Sequence, residues 1–97
     1  MTEYYVYIIE AMRTSKQNYG HIIYYTGYSS NPKRRLFEHK NYFSSNINWM
    51  QKNRIIARKF VYIEHVKTLN QAKKRETQIK RYSKKKKEEL INKYNLK

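Results

Sequence analysis

Glu76 stands where a carboxylate is least expected. Its segment, LNQAKKRETQIK, has apolar residues at Leu69, Ala72 and Ile79, spaced by three and by seven, which defines one face of a helix. At about 100° per residue, Glu76 projects into the middle of that same face. The chain has no Asp, and its seven acids are Glu3, Glu10, Glu38, Glu64, Glu76, Glu88 and Glu89. Burying one of them unpaired is costly, so Glu76 needs a cation, a metal ion or a hydrogen-bond network. The basic neighbours in KKRETQIKR are expected to point to other sides of the helix. Two readings stay open: a buried Glu–Arg ion pair, or a carboxylate that holds a metal ion beside a phosphate.

Arg35 and His39 are four apart, one turn of helix, next to Leu36 on the apolar side. An arginine there can hold a phosphate with two hydrogen bonds, and a histidine can carry a proton near neutral pH. The alternative is a solvated basic helix face. His21 and His65 have no comparable company and are expected to be ordinary strand residues. Among eleven tyrosines, Tyr7 lies in mid-strand and Tyr25 two residues before Gly27. A phenol titrates near about 10, so base chemistry would need a metal, Arg or His beside it. Packing is the competing role for each tyrosine.

These residues must be positioned by a small set of elements. YYVYIIEA (4–11) is β-branched and aromatic and predicts a strand; MRTSKQNYG (12–20) is a polar loop; HIIYYTG (21–27) completes a hairpin. Asn31 followed by Pro32 marks the start of a helix over about 32–42. A short helix around Ile47 to Lys52 is the reading of an ambiguous segment. RKFVYIEHV (58–66) alternates Phe60, Tyr62, Glu64 with Val61, Ile63, His65 and predicts a third strand. Thr68 and Gln71 form a capping box that opens a helix over about 69–82, and Ser83 caps a last helix over 84–94. The fold class is therefore α/β in the α+β sense: a small, largely antiparallel sheet flanked by helices, in the order β-β-α-β-α-α.

Charge narrows the partners. Lys and Arg number 22 against seven acids, a net charge of +15 that is densest in residues 73–87. Such a field draws polyanions, nucleic acid first and an anionic membrane surface second. No apolar run approaches the ~18 residues of a membrane span, and MTEYYVYIIE lacks a basic leader. The expectation is a soluble, cytoplasmic protein with no membrane association. The chain has no cysteine, which excludes disulfides and thiolate metal sites.

Taken together, Tyr7 in YVYII, Tyr25 and Gly27 in YTG, Arg35 and His39 in RRLFEH, and Glu76 in AKKRETQIKR resemble the GIY-YIG nuclease signature. The likeness is to small stand-alone members and runs from about residue 4 to 92, with Tyr25 ten residues before Arg35. VYI stands in place of GIY and YTG in place of YIG, both keeping the tyrosine; residues 43–57 depart from the short Gly/Lys-rich connector of those members. The resemblance implies one nuclease domain over residues 1–97, with a three-stranded antiparallel sheet.

It also implies hydrolysis of DNA phosphodiesters with one divalent cation, Mg²⁺ or Mn²⁺, leaving 5′-phosphate and 3′-hydroxyl ends, as in repair or recombination. Carried over, Glu76 is the metal ligand and Tyr7 the general base. Tyr25 positions the water, and Arg35 neutralises charge on the phosphate. His39 accepts or orients a tyrosine proton. Gly27 lets the backbone turn tightly beside the phosphate. Lys80 contacts a phosphate or is simply solvated. Lys33, Arg34, Arg58, Lys73, Lys74 and Arg75 track the nucleic-acid backbone, and Tyr42, Phe43 and Trp49 stack on bases, with a core role for Trp49 as the alternative. Two other readings remain: a non-catalytic nucleic-acid-binding module, and a catalytic subunit that needs a protein partner or a second copy.

Overall fold

The apolar run near the N-terminus becomes the middle strand, covered on both sides. The computed structural model describes residues 3–14, 19–41 and 55–95, with the side chains of residues 37–41 excepted. Among these residues the elements are β1 (Tyr4–Arg13), β2 (Ile22–Ser29), α1 (Pro32–Asn41), β3 (Ile55–Val66), α2 (Leu69–Lys80) and α3 (Lys84–Asn95). The sheet is antiparallel with strand order β2-β1-β3. Fold class and element order are those expected from the sequence. The helix expected around Ile47 to Lys52, and the stacking residues Tyr42, Phe43 and Trp49, lie outside the described residues.

Val6, Tyr7, Ile8 and Ile9 are buried in succession, as a strand covered on both faces requires. Val6 and Ile8 pack with Tyr62 against Ala72 and Ile79 of α2 and Ile91 of α3. Tyr7, Ile9 and Ala11 face the other way, with Ile55, Ala57, Phe60 and Leu36 of α1. One layer of the core thus holds α2 and α3, and the other holds α1.

The strict alternation expected along β3 does not hold. The β1–β3 register shifts between Ile8 and Ile9 and again between Glu10 and Ala11, so that Ile8 pairs with Tyr62 but Ile9 with Phe60. A bulge adds one residue to one strand and turns the following side chains to the opposite face. Phe60 therefore joins Tyr7, edge-on at 5.4 Å between ring centroids, while Tyr62 lies on the other side of the sheet. The strand also begins earlier than expected, at Ile55.

Helix starts follow the sequence closely. Asn31 Oδ1 accepts from the Arg34 N–H at 3.2 Å, Thr68 Oγ1 from the Gln71 N–H at 3.1 Å, and Ser83 Oγ from the Lys86 N–H at 3.2 Å. Gln71 Oε1 reaches back to the Lys67 N–H at 3.1 Å, one residue before the expected partner. Leu69 departs from expectation: at the first position of α2 it is 38% exposed, and the buried residues of that helix are Ala72 and Ile79. No helix among the described residues is long and apolar enough to cross a membrane.

The rotation of α2 is fixed by one polar network. Arg75 Nε donates to both Glu64 oxygens, at 3.1 and 3.0 Å, and Arg75 Nη1 to Gln78 Oε1 at 2.7 Å. Tyr62 Oη donates to Glu64 Oε1 at 2.5 Å. This cluster ties β3 to α2 at the residue before Glu76. Replacing Arg75 with alanine leaves a half-buried Glu64 without its cation and should cost about 1–3 kcal/mol of stability. The exposed neighbour Lys74→Ala should stay within about 0.5 kcal/mol of the parent. Urea denaturation of the two variants checks this, and equal midpoints would refute it.

Candidate active site

Tyr7 is rooted on the middle strand, yet its hydroxyl reaches the sheet edge. Gly27 of β2 is its cross-strand neighbour. A Cβ at position 27 would lie 2.7 Å from Tyr7 Oη and 2.8 Å from Cζ, so the phenol occupies the space a side chain would take. The backbone at Gly27 needs no glycine: the positive φ among the described glycines is at Gly20, at 83°, where a Cβ would meet nothing. The tight turn expected at Gly27 is therefore corrected. Gly27 is there for space, and Gly20 for conformation.

Tyr7, Tyr25, Gly27, Tyr28, Arg35, Glu76 and Lys80 line one cavity of about 380 Å³. Tyr25 pairs across the ladder with Ile9, on Tyr7's side of the sheet. Arg35, half-buried on α1, donates a hydrogen bond to the Tyr7 hydroxyl. Glu76 comes from the opposite layer. Its side chain is 18% exposed, and Lys80 Nζ lies 3.0 Å from its Oε1. The basic neighbours do not all point elsewhere, because Lys80 at i+4 turns onto Glu76. No Glu76–Arg75 pair forms, since Arg75 is engaged by Glu64.

The other expected residues whose side chains are described do not line the cavity. Lys33 and Arg34 are exposed on α1, and Lys73 and Lys74 on α2. Arg58 is exposed on β3, with Nη1 4.0 Å from Met12 Sδ. Arg75 is held in the network that fixes α2. His39 belongs to α1, with its side chain outside the described residues. Tyr28 was not expected in the site; its place directly after Gly27 was the available signal.

Burial pushes the Tyr7 phenol up to about 12, and the Arg35 hydrogen bond and charge oppose that rise. Tyr25 is also raised by burial, against the charges of Lys80 and Arg35. Both are neutral phenols at neutral pH, held beside cations that favour the phenolate. Among the described residues no three His, Cys, Asp or Glu side chains cluster as a metal site. Among the described residues the cavity offers one carboxylate, Glu76, with phenol oxygens beside it. That set fits a hard cation held by one carboxylate, with waters and substrate oxygens completing its shell.

Gly27→Ala should lower stability by about 1–3 kcal/mol through overpacking against Tyr7. Adding Tyr7→Phe should not restore it, because the clash includes Cζ as well as Oη. Full rescue in a denaturant titration would refute this geometry. The raised phenol also sets an alkaline limit. Unfolded Tyr7 releases its proton from about pH 10, folded Tyr7 only at about 12, so stability falls across that window. Tyr7→Phe should flatten that part of the stability–pH curve.

The family model of the GIY-YIG catalytic domain matches residues 3–95. No curated protein and no solved structure matched the chain. The matched span takes in every residue that lines the cavity. The chain therefore belongs to the GIY-YIG family, a family of nucleases.

Proposed function

We propose that this chain is a single catalytic domain, over residues 1–97, that hydrolyses phosphodiester bonds within DNA with the aid of one divalent cation, Mg²⁺ or Mn²⁺, held by Glu76. The observation that carries this reading is the convergence of two phenols, a guanidinium and a carboxylate, from both layers of the core, on one cavity. A net charge of +15 supports a polyanionic substrate. A cation bound at Glu76 would supply Lewis-acid polarisation of the phosphoryl oxygen and stabilisation of the departing 3′-oxygen.

The side chains then divide the remaining work. Water attacks phosphorus and the P–O3′ bond breaks, leaving 5′-phosphate and 3′-hydroxyl ends. The ionised fraction of Tyr7, a phenolate favoured by Arg35, takes the proton of the attacking water and becomes a neutral phenol, which returns that proton to solvent before the next turnover. Tyr25 holds the water and donates to the phosphate. Arg35 also neutralises charge on the non-bridging oxygens as it develops. His39, one turn after Arg35 on α1, orients a tyrosine hydroxyl or accepts its proton. Lys80 moves from Glu76 to a phosphate oxygen once the carboxylate holds its cation. Lys33, Arg34, Arg58, Lys73 and Lys74 add diffuse attraction for the backbone.

The test is cleavage of single-stranded, duplex and forked DNA with Mg²⁺ or Mn²⁺. Glu76→Ala should lose at least ~10²-fold in rate while still binding DNA. Equal cutting by both proteins would overturn the assignment, and binding without cleavage in either ion would leave a non-catalytic module. The parent rate should climb with pH from 6 to 9, since ionised Tyr7 is scarce below its pKa of about 12. Tyr7→Phe should be slow and nearly flat with pH.

A further inference from the structure

The run KKKK at residues 84–87 opens α3, and its lysines do not share one environment. Lys84 and Lys87, with Ile91, fall at i, i+3 and i+7, on one stripe of the helix. Ile91 is buried, so that stripe faces the sheet. Lys84 Nζ donates to the Ile22 carbonyl of the edge strand β2 at 2.9 Å. Lys87 is half-buried, whereas Lys85 and Lys86 are exposed, and Lys86 Nζ sits 4.3 Å over the Tyr82 ring.

Lys84 and Lys87 line a cavity of about 210 Å³ with His21, Ile22, Ile23 and Tyr24. The active-site cavity is lined by Tyr25, Gly27 and Tyr28 of the same strand, and by Lys80. The two cavities thus follow each other along β2. Their linings adjoin at Tyr24 and Tyr25 and are centred about four residues apart, roughly 13 Å on a strand rise of ~3.3 Å per residue, a distance that a nucleic-acid strand covers in about two nucleotides. Lys84, with Ile22 and Tyr24, also lines a neighbouring cavity that carries Glu10 and Glu88, whereas Lys87 lines only the cavity without a carboxylate.

We propose that Lys87 and Lys84 form a phosphate-binding subsite on the β2 edge, which takes the backbone of the substrate strand as it leaves the catalytic cavity past Lys80. This subsite rests on the endonuclease reading for its orientation. Lys87 is set against a second cation: burial and the nearby Lys80 charge both lower its pKa. Lys80 has Glu76 as its partner, but no carboxylate pairs with Lys87 among the ion pairs of the described residues. A phosphate bound at Lys87 and Lys84 offsets the repulsion that Lys87 feels from Lys80.

The experiment measures binding of a labelled DNA oligonucleotide to the full chain without divalent ions, over a range of salt. Lys87→Gln should weaken binding about fivefold and reduce the salt slope by about 0.9, one phosphate contact on duplex DNA. Lys85→Gln, with the same loss of charge on the same helix, should stay within twofold. Lys87→Arg should retain parental binding, which separates a lost contact from a lost fold. With Mg²⁺, Lys87→Gln should raise KM and leave kcat within about twofold.

Equal losses for Lys85→Gln and Lys87→Gln, or no loss for either, would overturn the subsite, as would a fall in kcat at constant KM. Parental cleavage with equal losses condemns the subsite alone. A Lys87-specific binding loss in a protein that never cuts condemns the endonuclease reading alone.

Discussion

The Tyr7 hydroxyl reaches the edge of the sheet because Gly27 puts no side chain in its path, and the shape of the cavity depends on that single gap. A phenol on the central strand is held on all sides by packing, with Phe60 edge-on against it. A phenol on the edge strand would be freer to rotate. Rooting the ring at the centre and passing it over a glycine combines a fixed ring with a hydroxyl that reaches the cavity. The same arrangement explains the tyrosine's electrostatics. Burial opposes ionisation, so a cation must be close for the group to do base chemistry, and Arg35 of α1 meets the hydroxyl directly.

Two glutamates, Glu64 facing the basic helix α2 and Glu76 carried on it, have partners of different kinds. Glu64 is gripped by Arg75 through both oxygens and by Tyr62, in a half-buried network that is costly to open. Glu76 has Lys80, whose side chain is 53% exposed. An exposed lysine pair of this kind contributes little and exchanges readily. The arginine is thus committed to the fold, while the carboxylate in the cavity keeps a partner it can give up. This division leaves Glu76 available to a divalent cation without loosening the helix that carries it.

Most of the architecture was legible because local signals and global packing agree. The β-branched and aromatic run at residues 4–11 marks a strand, whose central place only the structure shows, and Asn31, Thr68 and Ser83 each cap the helix they were expected to open. What escaped was long-range. A bulge in β3 depends on how two strands meet, so the sequence period of 58–66 could not show that Phe60 and Tyr62 part company. Gly27 was legible as a glycine that matters, but its reason is a ring twenty residues earlier in the chain. Glu76 was legible as an anomaly from helix phase alone. Its partner was within reach of the same reasoning, since Lys80 is one turn on, but Arg75 could be assigned only once Glu64 of β3 was in view.

Composition gives the amount of positive charge, and helix phase gives its direction. Four consecutive lysines contribute equally to a net charge, yet the stripe that buries Ile91 carries Lys84 and Lys87 to the sheet edge and turns Lys85 and Lys86 away. The edge they reach is one that any three-stranded sheet must protect, because an open strand offers its backbone to another chain. Lys84 covers it by taking the Ile22 carbonyl, and the charge beside it disfavours pairing with a second copy of this basic chain. A polyanion is attracted by the same charges that repel another copy. On the proposed reading, the edge strand that supplies Tyr25 and Gly27 to the cavity disfavours a second basic strand and favours a polyanion by one device, at the margin of the only sheet among the described residues.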